Sequence, residues 1–450
     1  MNRANPIAKP RRTLRRFGLG AETNRVAPHD SPAHDWYRFV LSFPPHLVRE
    51  YLDRFALGPR HRVLDPFCGT GTTLVECRKA GVPALGIEAH PMAAFASRVK
   101  VDWSPDPEGL RAHAAQVSEA ALAEMEREGF DDDGDLPLFR RGRAVKGPLR
   151  RLPEEAARLL LRGSISPLPL HKTLVLLDHL ERRRDDRFWA HERLALAKAL
   201  VTSIGNLHFG PEVGVGPAKQ DAPVVGTWLG AVGRMAEDLL SLREAGGTAS
   251  EVFRADARCP AQVLEPGSVD AVITSPPYPN EKDYTRTTRL ESVLLGFLRT
   301  KADLRALKQD LMRSNTRNVF KGDADDAHVS GNGEIQRLAD RIEARRIALG
   351  KTSGFERNYA RVTRQYFGGM SRHLAALRDA LRPGARLAYV VGDQASYLRV
   401  MIRTGAILAD IARSLGYEVL GIDLFRTRLA TATRAQLREE VVLLQWPGRA

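Results

Sequence analysis

Two short segments of this chain carry residue types whose spacing suits chemistry. In Val63-Leu64-Asp65-Pro66-Phe67-Cys68-Gly69-Thr70-Gly71-Thr72-Thr73-Leu74, an apolar run ends in a carboxylate, a Gly-x-Gly turn follows, and a helical pattern begins near Thr72. Such a turn leaves backbone N–H groups exposed and lets a ligand approach where a side chain would block it. A nucleotide-like ligand fits it. In Thr274-Ser275-Pro276-Pro277-Tyr278, a hydroxyl, a backbone carbonyl held between prolines and an aromatic ring fall within five residues. Gly69 and Ser275 stand 206 positions apart.

The turn excludes two common phosphate sites. A Walker loop needs a Lys after its last glycine, and Gly71 is followed by Thr72. A dinucleotide fingerprint needs a third glycine at position 74, where Leu74 stands. The Asp65 carboxylate would repel a pyrophosphate but would pair with the cationic amino acid end of S-adenosylmethionine. Glu88 closes the next apolar run 17 positions after Gly71, the place for an acid that grips ribose hydroxyls. The second segment suits an exocyclic amine on a nucleobase, whose lone pair is delocalised into the ring. Ser275 Oγ and the Pro276 carbonyl can accept hydrogen bonds from that amine, drawing its nitrogen toward sp³. Pro276 and Pro277 stiffen the loop that aims them, and Tyr278 offers a face for an extruded base. Methylation at a cytosine ring carbon would need a cysteine nucleophile in a Pro-Cys loop, and here only the reversed Cys259-Pro260 occurs.

DPFCGTGTT, the acid in Gly86-Ile87-Glu88 and Ser275-Pro276-Pro277-Tyr278 resemble the motifs of the S-adenosylmethionine-dependent DNA amino-methyltransferases. The resemblance implies that Asp65, Gly69 and Gly71 contact the methionine part of the cofactor, with Phe67 and Thr72 in the same turn, and that Glu88 holds the ribose. It implies that Asp256, in Phe253-Arg254-Ala255-Asp256-Ala257, holds the adenine, although taken alone Asp256 reads as a helix N-cap. Phe43-Pro44 resembles the family's segment that packs on the methionine moiety, and core packing would explain it too. In this family Ser or Thr before Pro-Pro-Tyr accompanies cytosine N4 methylation, and Asp or Asn accompanies adenine N6 methylation. The resemblance therefore implies cytosine N4 in double-stranded DNA, by base flipping and without metal. Adenine N6 methylation, RNA guanine N2 methylation and a non-catalytic S-adenosylmethionine-binding DNA regulator are the alternatives. A restriction or defence-system partner is compatible with the reading.

Positioning these loops requires strands that end at them. Residues 62–65, 83–88, 252–254, 269–274 and 386–392 read as buried parallel strands, and 72–80 as an amphipathic helix between the first two. Residues 417–425 and 439–446 are joined too closely for a crossover helix and should pair antiparallel. The expected fold is α/β: a doubly wound, mostly parallel, seven-stranded Rossmann-like methyltransferase sheet with an antiparallel C-terminal strand and a large helical insertion. Expected divisions are a basic tail at 1–34, a catalytic domain at 35–103 and 247–450, an inserted helical module for target recognition at 104–246, and a polar insertion at 300–357 with a mobile centre at 321–333. Helical patterns in the module cover 110–126, 154–162, 174–183 and 193–203.

The net charge of +14 favours a polyanionic partner, as does the excess of +5 within residues 1–30. No apolar run is long enough to span a bilayer and no secretory signal opens the chain, which predicts a cytoplasmic protein. Cys68, Cys77 and Cys259 are too few and too scattered for a disulfide framework or a zinc site. Candidates for DNA contact are 140–151, 206–219, Arg313-Ser314-Asn315-Thr316-Arg317, and the pair Arg286 and Arg289.

Overall fold

The computed structural model describes residues 27–37, 43–133, 147–210, 212–244, 247–429 and 436–448. In chain order the strands are β1 (Val63–Asp65), β2 (Ala84–Ile87), β3 (Leu207–Phe209), β4 (Val213–Val215), β5 (Ser250–Phe253), β6 (Val269–Thr274), β7 (Leu381–Gly392), β8 (Glu418–Leu429) and β9 (Gln436–Gln445). Seven of them form one sheet of order β5-β2-β1-β6-β7-β9-β8, and β3 and β4 form a separate ribbon. This is the mostly parallel Rossmann-like architecture expected. The described residues divide into two compact units, one containing residues up to Ala257 together with Lys282–Leu311, the other Arg258–Glu281 and the chain from Met312 onward.

In the first unit, β1 pairs parallel with β2, and β2 with β5. All three residues of β1 are buried, as a parallel strand covered on both faces requires. The helix Thr72–Lys79 links β1 to β2, within one residue of the expected span. The helical residues 104–246 belong to this same unit. Its longer helices are Pro107–Glu128, Pro167–Arg182, Trp189–Ala199 and Val224–Glu244. Only one turn, Glu154–Ala157, forms within the expected helix at 154–162.

The last of these helices escapes the sequence reading, and its composition says why. Gly226, Gly230 and Gly233 each lower helix propensity by about 1 kcal/mol relative to alanine. Tertiary packing overrides this: Val225, Trp228, Val232, Met235 and Leu239 are buried along one face, and Trp228 Nε1 donates to the Glu192 carbonyl at 2.9 Å. The start of the helix is capped from afar. Asp132 Oδ1 and Oδ2 accept from the amides of Val224 at 2.8 Å and Gly226 at 2.9 Å, so the acidic turn near residue 131 serves a helix more than 90 positions downstream.

The expected basic tail ends earlier than residue 34. Residues 1–26 lie outside the described part, but Asp30 and His34 are buried. Asp30 pairs with Arg49 at 2.8 Å and His34 Nε2 meets Glu76 at 2.7 Å, fixing residues 28–34 against the helices before and after β1.

In the second unit, β6 pairs parallel with β7, while β9 runs antiparallel between β7 and β8. The C-terminal antiparallel pairing is as expected. β7 starts earlier than residue 386, because the backbone passes the Pro383-Gly384 turn and still pairs Leu381 with Val269. The centre of the polar insertion is packed, not mobile. A 3₁₀ turn at Asp325–Val329 buries Asp325 and Val329, and the Asp325 carboxylate bridges Arg258 at 2.6 Å and Arg372 at 3.2 Å. The helix Tyr359–Leu377 receives this turn at Gly368, where a β-carbon would collide with the Asp325 backbone, while a β-carbon at Gly369 would collide with Met312 Sδ.

Candidate active-site residues and family

At the end of β1, Asp65 is buried and its Oδ1 accepts the Phe67 amide at 3.1 Å, which curls the chain into the turn. Gly69 and Gly71 both take left-handed backbone angles, with φ of 51° and 87°. A β-carbon on Gly71 would lie 2.5 Å from Ser97 Oγ, so this position needs glycine twice over. A β-carbon on Gly69 would meet nothing within 4 Å: the space beside the turn is open. Thr72 begins the helix with Gly71 as its N-cap.

Glu88, just past β2, draws the turn together. Its Oε2 accepts the Gly69 amide at 2.9 Å and its Oε1 accepts the His90 amide at 2.7 Å. Burial pushes its carboxyl up to about 7, aided by the nearby Asp65 charge and opposed by those amide hydrogen bonds. The Glu88 amide in turn donates to Phe253 O in β5 at 3.0 Å, so Asp256, three residues beyond, follows from the same end of that strand. Asp65, Phe67, Gly69, Gly71, Thr72 and Glu88 thus lie around one turn, and Asp256 follows three residues after Phe253, the strand partner of Glu88. Phe43 is half-buried just before the helix Pro45–Arg54, which is tied to the helix Thr72–Lys79 by the Arg49–Glu76 ion pair.

Sequence reasoning missed two residues of this surrounding. Tyr284 lies close enough to Glu88 for the carboxylate to help burial in pushing its phenol up to about 12. His90 is buried, with Nε2 2.9 Å from Thr288 Oγ1, and burial lowers it to about 4. Both contacts join residues almost 200 positions apart, and no periodicity announces them.

In the second unit, β6 delivers Ser275 directly after Thr274. Ser275 Oγ donates to the Val390 carbonyl in β7 at 3.1 Å and lies 3.5 Å from Tyr278 Oη. Pro276 is buried, while Ser275, Pro277 and Tyr278 are partly exposed. Gly392 makes room for the ring: a β-carbon there would come 3.1 Å from Tyr278 Cε2. The four expected catalytic residues are therefore held together by the tip of β7.

Several expected DNA contacts turn inward. Arg289 is buried and donates to Thr285 O at 2.8 Å and Leu159 O at 3.2 Å, which makes it a structural strut. Arg313 is buried in a two-pronged pair with Asp323 at 2.8 Å, and Ser314, Asn315 and Thr316 are buried beside it. Only Arg317 of that run is exposed, its guanidinium 5.5 Å from the Phe355 ring centre. Asn206 is buried, donating to Gly163 O and Ser166 Oγ and accepting the Lys219 amide. Residues 140–146 lie outside the described part, and Arg150 is engaged by Glu124, Glu128 and Asp178. A guanidinium goes where a carboxylate compensates its desolvation, and those carboxylates lie far away in sequence.

Residues 22–96, which span the glycine turn and Glu88, match the DNA methylase family of N6 and N4 methyltransferases. The chain is 24% identical over 454 residues to the type II methyltransferase M.BsoBI of Geobacillus stearothermophilus, covering 92% of this chain and 86% of that protein. It is also 24% identical over 415 residues to the type II methyltransferase M.AvaI of Nostoc sp., covering 87% and 80% respectively. The type II methyltransferase M.MjaII of Methanocaldococcus jannaschii is 36% identical over 86 residues, 19% of this chain and 15% of that protein. Over most of its length the chain is thus similar to type II DNA methyltransferases, and its residues 22–96 carry the match to the DNA methylase family of N6 and N4 methyltransferases.

Proposed function

We propose that this chain methylates the exocyclic N4 amine of cytosine in double-stranded DNA, using S-adenosylmethionine and a target base turned out of the duplex. One hydrogen bond carries the reading. A carbonyl cannot donate, so the Ser275 hydroxyl commits its proton to Val390 O. Its oxygen then presents lone pairs alone, the form needed to accept a hydrogen bond from an amine and free that amine's own lone pair. Ser275 acts as an acceptor and not as a base, and Tyr278 supplies the stacking face. The serine before Pro-Pro-Tyr is what favours cytosine over adenine, on the family resemblance.

The residues of the first unit suit the cofactor. The open space beside Gly69 is one that a β-carbon would fill. Asp65 offers a carboxylate to an α-amino group, Glu88 offers acceptors to a ribose diol, and no Lys or Arg stands in the turn to demand phosphate. When bound, S-adenosylmethionine supplies a methyl group activated by its sulfonium. The chain's part is to orient that group and to bring the Ser275 loop to the amine, so that transfer proceeds in line. In this reading residues 104–246 contribute target recognition, exposed Arg317 reaches phosphates, and the protein works in the cytoplasm, in a restriction or defence system.

The direct test is expression in a host lacking DNA methylation, followed by sequencing of genomic DNA with a method sensitive to modified bases. N4-methylcytosine in a fixed sequence context is expected. Modified adenine would overturn the cytosine assignment, methylated RNA beside unmodified DNA would move the substrate to RNA, and binding without any methylation would leave a regulator.

Glu88 makes the cofactor step sensitive to pH. Its folded-state carboxyl is raised to about 7, so the free protein gains stability from the protonated form and loses that contribution as pH climbs through 7. The ribose hydroxyls prefer the ionised carboxylate, so affinity runs the other way. S-adenosylmethionine should bind several-fold more tightly at pH 8 than at pH 6, and Glu88→Gln should flatten the profile, as read by calorimetric titration. The same slope in both proteins would remove Glu88 from the ribose site.

A further inference from the structure

The Ser-Pro-Pro-Tyr loop must stay aimed once β6 has ended, and the residues just beyond it show how. Glu281 holds φ at 65°, a left-handed conformation that a glutamate rarely adopts without compensation. The compensation is a two-pronged grip on one residue. Glu281 Oε1 accepts the Thr316 amide at 3.0 Å, and Oε2 accepts the Thr316 hydroxyl at 2.8 Å. One residue earlier, the Asn280 amide donates to Ser314 O at 3.2 Å, an acceptor shared with Tyr397 Oη at 2.9 Å.

The gripped segment is itself anchored. Arg313 is locked to Asp323, Asn315 is fully buried with Oδ1 accepting the Arg317 amide at 3.0 Å, and Tyr397 is buried and stacked on Tyr359 with ring centres 4.8 Å apart. The run from Arg313 to Thr316 is thus a buried shelf, and the loop carrying Ser275 and Tyr278 is fastened to it at its far end.

We propose that Glu281 and Thr316 form a latch that positions the Ser-Pro-Pro-Tyr loop for methyl transfer, so that Glu281 is a positioning residue acting through the loop. This rests on the function proposed above. The loop is held at one end by β6 and the Ser275–Val390 bond, and at the other by the latch. Releasing the second end lets the acceptors on Ser275 and Pro276 drift, and displacements near 1 Å can cost about 100-fold in rate.

Glu281→Asn tests this without disturbing the backbone, because asparagine tolerates the left-handed conformation while its side chain is one methylene too short to reach Thr316. It should lower kcat by about 10-fold or more, leaving KM for DNA and the dissociation constant for S-adenosylmethionine within about two-fold. Thr316→Val should do the same, and the double variant should lose no more than either single one, since both remove the same latch. Glu281→Gln and Thr316→Ser keep hydrogen-bonding atoms in reach and should recover most of the rate. In parallel, hydrogen exchange of the peptide spanning 275–281 should accelerate in Glu281→Asn and Thr316→Val, with the β7 and β9 peptides unchanged.

Wild-type kcat together with wild-type exchange in those variants overturns the latch. So does faster exchange spread evenly over the whole unit, which would mark a purely structural role. If the wild-type enzyme methylates no DNA, the proposed function fails, and the exchange measurement still decides whether Glu281 and Thr316 hold the loop.

Discussion

Ser275→Ala is expected to lower the rate of methyl transfer by about 100-fold or more, the scale seen when one preorganised hydrogen-bonding group at a reacting centre is removed. The side chain donates to Val390 O, has Tyr278 Oη 3.5 Å away, and is only partly buried, so its loss leaves the packing of β6 and β7 in place. What disappears is the oxygen proposed to accept from the amine. Single-turnover methylation with labelled cofactor isolates the chemical step, and equilibrium titration should return nearly unchanged cofactor affinity, because Asp65 and Glu88 belong to another segment. Tyr278→Ala should lose rate as well, with a larger rise in KM for DNA, if its ring receives the base as proposed. A Ser275→Ala enzyme with full single-turnover rate would sink the role given to this serine.

Gly368→Ala is expected to destabilise the second unit strongly. A β-carbon at this position would lie 1.9 Å from Asp325 O, 2.4 Å from the Asp325 carbonyl carbon and 2.9 Å from the Asp326 amide nitrogen. All three are backbone atoms, and no rotamer change can move them. Asp325 cannot retreat cheaply either, because its carboxylate is fixed between Arg258 and Arg372. Overpacking of this kind costs about 3 kcal/mol or more, which for a unit of this size lowers the melting temperature by roughly 6–12 °C. Gly322→Ala is the control, since a β-carbon there meets nothing within 4 Å and should shift the melt by little. Equal melting temperatures for the two variants would show that the 3₁₀ turn at Asp325–Val329 does not bear on the helix Tyr359–Leu377.

The polar insertion illustrates why some of the structure stays hidden in sequence. Residues 321–333 are rich in Asp and Gly and lack periodicity, which reads as a loose loop. Order comes from Gly368, a helical glycine more than 40 positions after Asp325, which opens a notch for the turn. The arginines teach the same lesson. Arg289 and Arg313 are chemically suited to phosphate, yet each is buried against partners within the protein.

Read alone, the sequence was sufficient for the strand tips and their loops: β1 ending at Asp65, the turn at Gly69 and Gly71, the acid at Glu88, and Ser275-Pro276-Pro277-Tyr278 after β6. These depend on backbone angles and short apolar runs, which a few neighbouring residues dictate through sterics. Only the tertiary structure decided that the Ser275 proton is taken by Val390, that Glu281 grips Thr316, and that Arg289 faces inward while Arg317 faces solvent. A hydroxyl, a carboxylate and a guanidinium each accept many partners, so their roles are set by whichever groups the folded chain brings within about 3 Å.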